Sequence, residues 1–136
     1  MSIFFEGADQ MAPRQLYQAA TIVKGMAGQG IEFGRVVFLN GDSFYLASPV
    51  DGLFTGVAIL RSVTAGQQLQ VMTIGVLESP DWSTCTDNML LQSGKSYYLR
   101  QDGKLSIIPD SDGYVVRVGR ASSQTVLTVT FDLKVA

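Results

Sequence analysis

Histidine is absent from this chain, and a single cysteine, Cys85, is present among its 136 residues. Without histidine the commonest general base and the commonest zinc ligand are both missing. One thiol cannot form an intrachain disulfide, and Cys-His catalysis and zinc fingers are excluded with it. Basic clusters are missing too. The 10 Lys and Arg residues are scattered from Arg14 to Lys134, and the formal net charge is -2. Phosphate backbones demand a concentrated basic face, so nucleic acid is not an expected partner. No apolar run reaches membrane-spanning length, so no membrane partner is expected. The start, Met-Ser-Ile-Phe-Phe-Glu-Gly-Ala-Asp, lacks the basic and long apolar regions of a signal peptide. The expectation is a protein made and assembled in the cytoplasm.

Motifs of chemistry are equally scarce. The 14 glycines form neither a Gly-x-Gly-x-x-Gly turn nor a phosphate loop, and no serine sits in a Gly-x-Ser-x-Gly elbow. Asp110-Ser111-Asp112-Gly113 resembles the opening of a calcium loop, but the distal Glu of that motif is missing and a surface turn is the plainer reading. Asp51 with Glu78 or Asp81 would supply the two carboxylates of a glycosidase, yet carboxylates at strand ends are ordinary solubilising groups. No catalytic residue, metal site or cofactor is assigned, and no enzymatic activity is expected.

What the chain has is apolar strand material: 46% of residues are hydrophobic against 16% charged. The length suits one domain with a real core. The surplus of apolar side chains points to a subunit interface, in a homodimer or homotrimer. From Gly30 to Leu77 short runs of Val, Ile, Phe and Tyr are cut by Asn40-Gly41, Pro49-Val50-Asp51-Gly52 and Thr64-Ala65-Gly66. A two-residue type I′ turn at Asn40-Gly41 would place Val37 opposite Phe44 and Val36 opposite Tyr45. Leu53–Leu60 and Leu69–Leu77 are apolar on both faces for part of their length, so both are expected as central strands. Asp102-Gly103 predicts a second tight hairpin. In the last strand Leu127, Val129, Phe131 and Leu133 alternate with Thr128, Thr130 and Asp132, one face in and one out. About eight strands with short turns make an all-β domain over residues 30–136, a β-sandwich or β-barrel.

Residues 1–29 read as an N-terminal arm. Ile3, Phe4 and Phe5 are too few to form a core, so they either pack on the domain or dock on a neighbour. Ala12, Leu16, Ala19, Ala20, Val23 and Ala27 fall at helical spacing, but Thr21-Ile22-Val23 is β-branched and Gly25 interrupts. The spacing predicts at most a short helix from Pro13 to about Ala20, then an extended run. Trp82 lies in the polar stretch Glu78–Met89, either as an interface anchor or as a ring capping one end of the domain.

From Gly30-Ile31-Glu32-Phe33-Gly34-Arg35-Val36-Val37 onward the chain resembles the capsid cement, or decoration, proteins of tailed bacteriophages. Phe54-Thr55-Gly56-Val57-Ala58 is similar to that family's Gly-Val-Ala step. Val63-Thr64-Ala65-Gly66-Gln67-Gln68-Leu69-Gln70-Val71 is similar to its Ala-Gly-led strand, and Gly75-Val76-Leu77 to the turn-out that follows. Tyr97-Tyr98-Leu99 and the stretch from Gly113 to Ala121 also resemble modules of phage head and tail fibres. The likeness spans about residues 30–133. It implies a structural virion protein on the capsid surface, partnered by the major capsid protein and by itself. A virion adaptor or fibre-base module is the alternative, and a carbohydrate-binding β module, using Trp82, Tyr97 and Tyr98, a more distant one.

Overall fold

Gln68–Glu78 (β7) is the strand on which the others are assembled. The computed structural model describes residues 16–110 and 113–135, with residues 16–19 as backbone only. One edge of β7 is paired antiparallel along its length with Leu16–Ala27 (β1), from Leu16 opposite Glu78 to Met26 opposite Gln68. The other edge is divided. Gly56–Ala58 (β5) takes Val71 and Met72, while Val126–Val135 (β11) takes Ile74 to Glu78.

Below that division the sheet closes on itself. β1 pairs parallel with Ser43–Leu46 (β4), β4 with Val36–Asn40 (β3), β3 with β5, and β5 with β7. Since β7 also pairs with β1, the ring β1-β4-β3-β5-β7 is a closed barrel without a free edge between its members. Above the division the sheet runs on through β11 to Tyr114–Ala121 (β10), Ser96–Leu99 (β8) and Leu105–Ser106 (β9). A two-stranded ladder of Ile31–Glu32 (β2) and Ser62–Val63 (β6) lies outside the main sheet. One continuous core fills both parts, with Val36, Val37, Val57, Leu69, Val71, Leu77, Val118, Leu127 and Val129 all fully buried. The all-β expectation holds, and β5 and β7 are central as their two-faced apolar patterns require.

Three local expectations are corrected. The short helix over Pro13–Ala20 is strand in its described half, because Leu16–Ala20 belong to β1. A long ladder to β7 satisfies this segment's backbone groups, and helical spacing of small residues does not compete with it. Residues 16–27, assigned to the arm, are thus the strand that closes the barrel; Ile3, Phe4 and Phe5 lie outside the described residues. At the first hairpin Asn40 pairs with Ser43 and Val37 with Leu46, so the turn is Gly41-Asp42, one residue later than expected. Among its residues only Gly41 has positive φ, 67°. A type II′ turn needs that conformation only at its first central position, whereas type I′ would have forced Asn40 into it as well. Finally, Leu53–Leu60 is regular strand only over Gly56–Ala58. Its flanks bond singly, Thr55 N–H to the Val37 carbonyl (2.7 Å) and Ile59 N–H to that of Gln70 (3.1 Å).

The Asp102-Gly103 hairpin forms as expected. Both residues have positive φ, 58° and 75°, and Lys104 N–H closes the turn on the Gln101 carbonyl at 3.3 Å. The last strand alternates as expected as far as Phe131, and there the pattern fails: Leu133 is 42% exposed and Val135 78%. The cause is topological. β11 outruns its partner β7 at Thr130 and continues paired only with β10.

Candidate functional site

Trp82 is the first candidate to place, and it is 0% exposed. Its indole N–H donates to the Thr125 carbonyl (3.1 Å), and its ring packs against Phe33 with centroids 5.3 Å apart. The main chain around it is equally occupied. Trp82 N–H donates to the Met89 carbonyl, and the Trp82 carbonyl accepts from Cys85 and Thr86 N–H. Ser79, also fully buried, sends its N–H to Thr125, and Leu91 sends its own to Gln124. The polar, irregular stretch 79–91 is therefore a plug tied to the neighbouring turn. Trp82 is a core residue and not an exposed anchor, which corrects that reading. A loop tryptophan looks alike in sequence whether its N–H meets a carbonyl 43 positions away or meets solvent.

Arg35 holds the same end, and sequence reasoning singled it out only as part of the Gly34-Arg35 motif. Its guanidinium donates to the Thr84 carbonyl (3.0 Å), the Asp102 carbonyl (2.9 Å) and the Glu32 carboxylate (3.2 Å). One side chain, 14% exposed, thus ties together β2, the plug and the β8–β9 turn. Gly34 beside it has φ 83°, and a β-carbon there would overlap the Cys85 sulfur. Cys85 is sealed in: burial pushes its thiol up to about 12 from 9.0, so the thiolate needed for nucleophilic or ligand chemistry does not form at neutral pH.

The carboxylates proposed as an acid–base pair are not brought together. Glu78 sits opposite Val126 at the start of β11. Asp51 lies in the 49–52 turn, at the opposite end of that strand, where Gly113 packs on Val50. The rise of nine strand residues separates the two ends by roughly 30 Å, far beyond glycosidase spacing. Asp81 instead caps its own loop. Its carboxylate accepts the Ser83 N–H at 2.9 Å, and bonding to Ser83 lowers its pKa. Of the Asp110–Gly113 turn, residues 111 and 112 lie outside the described residues. Among the described residues no three Cys, Asp or Glu side chains group as metal ligands would. Two of the open clefts among the described residues bear on the question. One of 570 Å³ runs along the β8–β9 hairpin beside Arg100, Lys104 and Asp110; the other, of 460 Å³, lies on β10 and β11 beside Arg117, Arg120, Thr128 and Thr130. Ser106, which also lines the first, accepts the Ile108 N–H at its hydroxyl oxygen (3.1 Å).

The opposite end has a different character. Tyr114 N–H donates to the Pro49 carbonyl (2.9 Å), Gly52 lies against the Tyr114 ring, and Phe54 stacks on Phe131 with centroids 4.7 Å apart. These contacts dock the 49–54 loop on the far end of the β10–β11 ribbon. Around them stand Val50 (55% exposed), Leu53 (55%), Leu133 and Val135, large apolar side chains with no core to enter. Exposed apolar groups gathered in one place mark an interaction surface. Composition foretold a surplus of this kind but not its location, and part of it lies elsewhere, at Ile108, Met89 and Leu39 among others. No protein-family model and no curated protein matches the chain.

Proposed function

We propose that this protein is a capsid decoration protein of a tailed bacteriophage, seated on the outer surface of the head. There it bridges subunits of the major capsid protein and stabilises the expanded, DNA-filled shell. The observation that carries this reading is the apolar end formed by Val50, Leu53, Leu133 and Val135, presented by a closed barrel. The residues that resemble cement proteins fit it as well: Val36-Val37, Gly56-Val57-Ala58 and Leu69-Gln70-Val71 are the strands β3, β5 and β7 of that barrel. A cement protein works by mass action, since a ligand that binds only the assembled shell lowers its free energy relative to dissociated states. Rigidity and a tacky surface suffice for that.

The glycan-binding alternative loses support. It needs aromatic rings on an open face, but Trp82 is buried, and Tyr97 is 4% exposed with its hydroxyl accepting the Gln92 N–H at 2.8 Å. The deciding experiment is electron cryo-microscopy of expanded, undecorated heads mixed with the protein. Density repeated over the whole lattice is the expected result. Density at a single vertex would replace cement by adaptor, and no density would overturn the capsid reading.

A further inference from the structure

Beyond Thr130, β11 has a partner on one side only. Residues 132–135 pair with Arg117 to Tyr114 of β10, and among the described residues no strand lies along the other edge. The direction of the free backbone groups follows from the antiparallel pattern, in which opposed pairs alternately bond each other and point away. Tyr114 sends its N–H outward to Pro49, so the Tyr114–Val135 pair is of the outward kind. Two residues on, the Val116–Leu133 pair is outward as well. The N–H and C=O groups of Leu133 and Val135 therefore line the open edge, and their side chains are the exposed apolar ones.

We propose that this edge pairs antiparallel with the same edge of a second copy, about a two-fold axis through Leu133. Charge selects both the occupant and the register. With Leu133 opposite Leu133, Asp132 of each chain faces Lys134 of the other, twice over, and Phe131 faces Val135. A shift of the two-fold by one residue either way opposes Lys134 to Lys134 or Asp132 to Asp132, which is repulsive. Asp132 already faces Arg117 across β10, so the pairing extends a row of alternating charge from one chain to the next. Outward backbone groups meet outward groups in this register, and the exposed Leu133 and Val135 side chains come together on one face.

The test is a charge exchange, read by analytical ultracentrifugation. The native protein is expected to be a dimer at about 100 µM, where any Kd of micromolar order gives one. Asp132→Lys alone, and Lys134→Asp alone, are expected to raise the dimer Kd by about tenfold or more, because like charges then oppose each other at both symmetric positions. The double exchange Asp132→Lys with Lys134→Asp is expected to restore it. As a geometric check, Leu133→Cys should form an interchain disulfide under mild oxidation, since bonded opposed pairs have Cα atoms about 5.5 Å apart. Ser122→Cys, at the far end of the ribbon, should not, and native Cys85 is buried and silent. A monomeric native protein, a single reversal without effect, or a double exchange that fails to restore association would each overturn the pairing. The pairing draws Leu133 and Val135 out of the apolar end and leaves Val50 and Leu53 to the capsid; missing density on heads would leave the pairing standing, and a monomer would return the whole apolar end to the lattice.

Discussion

The 79–91 stretch and the β10–β11 ribbon invert the usual expectation for loops and strands. The first has no regular strand or helix, yet it holds a fully buried tryptophan and serine and is bonded into the 124–125 turn, β9 and Arg35. The second is regular sheet, yet it ends in an edge with no partner strand among the described residues, with Leu133 and Val135 exposed. Regularity describes the backbone's own bonding; it does not say which surface is spare. What decides is whether the groups have partners within the chain. At Ser79, Trp82, Cys85 and Leu91 of the plug they do, although Met89 and Leu90 between them stay exposed; at Leu133 and Val135 of the ribbon they do not among the described residues.

The contrast breaks most severely at Trp82. Trp82→Ala empties a closed site and removes one of the two donors to the Thr125 carbonyl, so a loss of about 3–5 kcal/mol is expected in denaturant unfolding. An effect under about 1 kcal/mol would show that the plug is not core. Arg35→Met comes next. It keeps much of the apolar stem but removes the donors to Thr84 and Asp102, at a cost of about 1–3 kcal/mol. Proteolysis should then cut first within 79–91.

Cys85 gives a pH-resolved version of the same contrast. Burial keeps its thiol neutral in the fold up to about 12, while the unfolded chain ionises from about 9.0. The unfolded state therefore binds fewer protons in that window. The stability tied to this thiol is complete below pH 9 and falls above it, by at most about 1.4 kcal/mol per pH unit. Cys85→Ala should flatten that decline when unfolding curves at mildly and strongly alkaline pH are compared, and an unchanged slope would mean that the thiol is accessible. Smallest of all is Leu133→Ser. On the open edge it should change the unfolding free energy of the dilute protein by no more than about 0.5 kcal/mol, while weakening self-association.

Much of the fold was legible because it is locally encoded. Asp102-Gly103 is a turn wherever it occurs between strands, since both residues tolerate positive φ. The alternation from Leu127 to Phe131 reports a half-buried strand because residues 126–130 do have β7 beside them. What escaped is non-local. β1 carries apolar residues at helical spacing, and it is strand because β7, some fifty residues on, offers a complete ladder. The failure of alternation at Leu133 depends on where a different strand parts company with β11. Arg35 is one scattered cation in the sequence; two acceptors from distant segments, Thr84 and Asp102, make it a clamp. The turn at Gly41 was missed by a single residue, because an Asn-Gly pair suits type I′ and only the observed register shows that Gly41 alone was needed.

The most direct test of this contrast is hydrogen exchange of the native protein, followed by mass spectrometry, across a dilution series spanning its self-association. Peptides from 79–91 should be protected equally at every concentration, because their partners are internal. In peptides covering 131–135 the Asp132 and Lys134 amides, bonded to β10, should be protected at every concentration, while those of Leu133 and Val135 should exchange freely when dilute and become protected as the concentration rises. Protection of Leu133 and Val135 that ignores concentration, or protection of 79–91 that follows it, would contradict the assignment of the plug to the core and of the ribbon to a second chain.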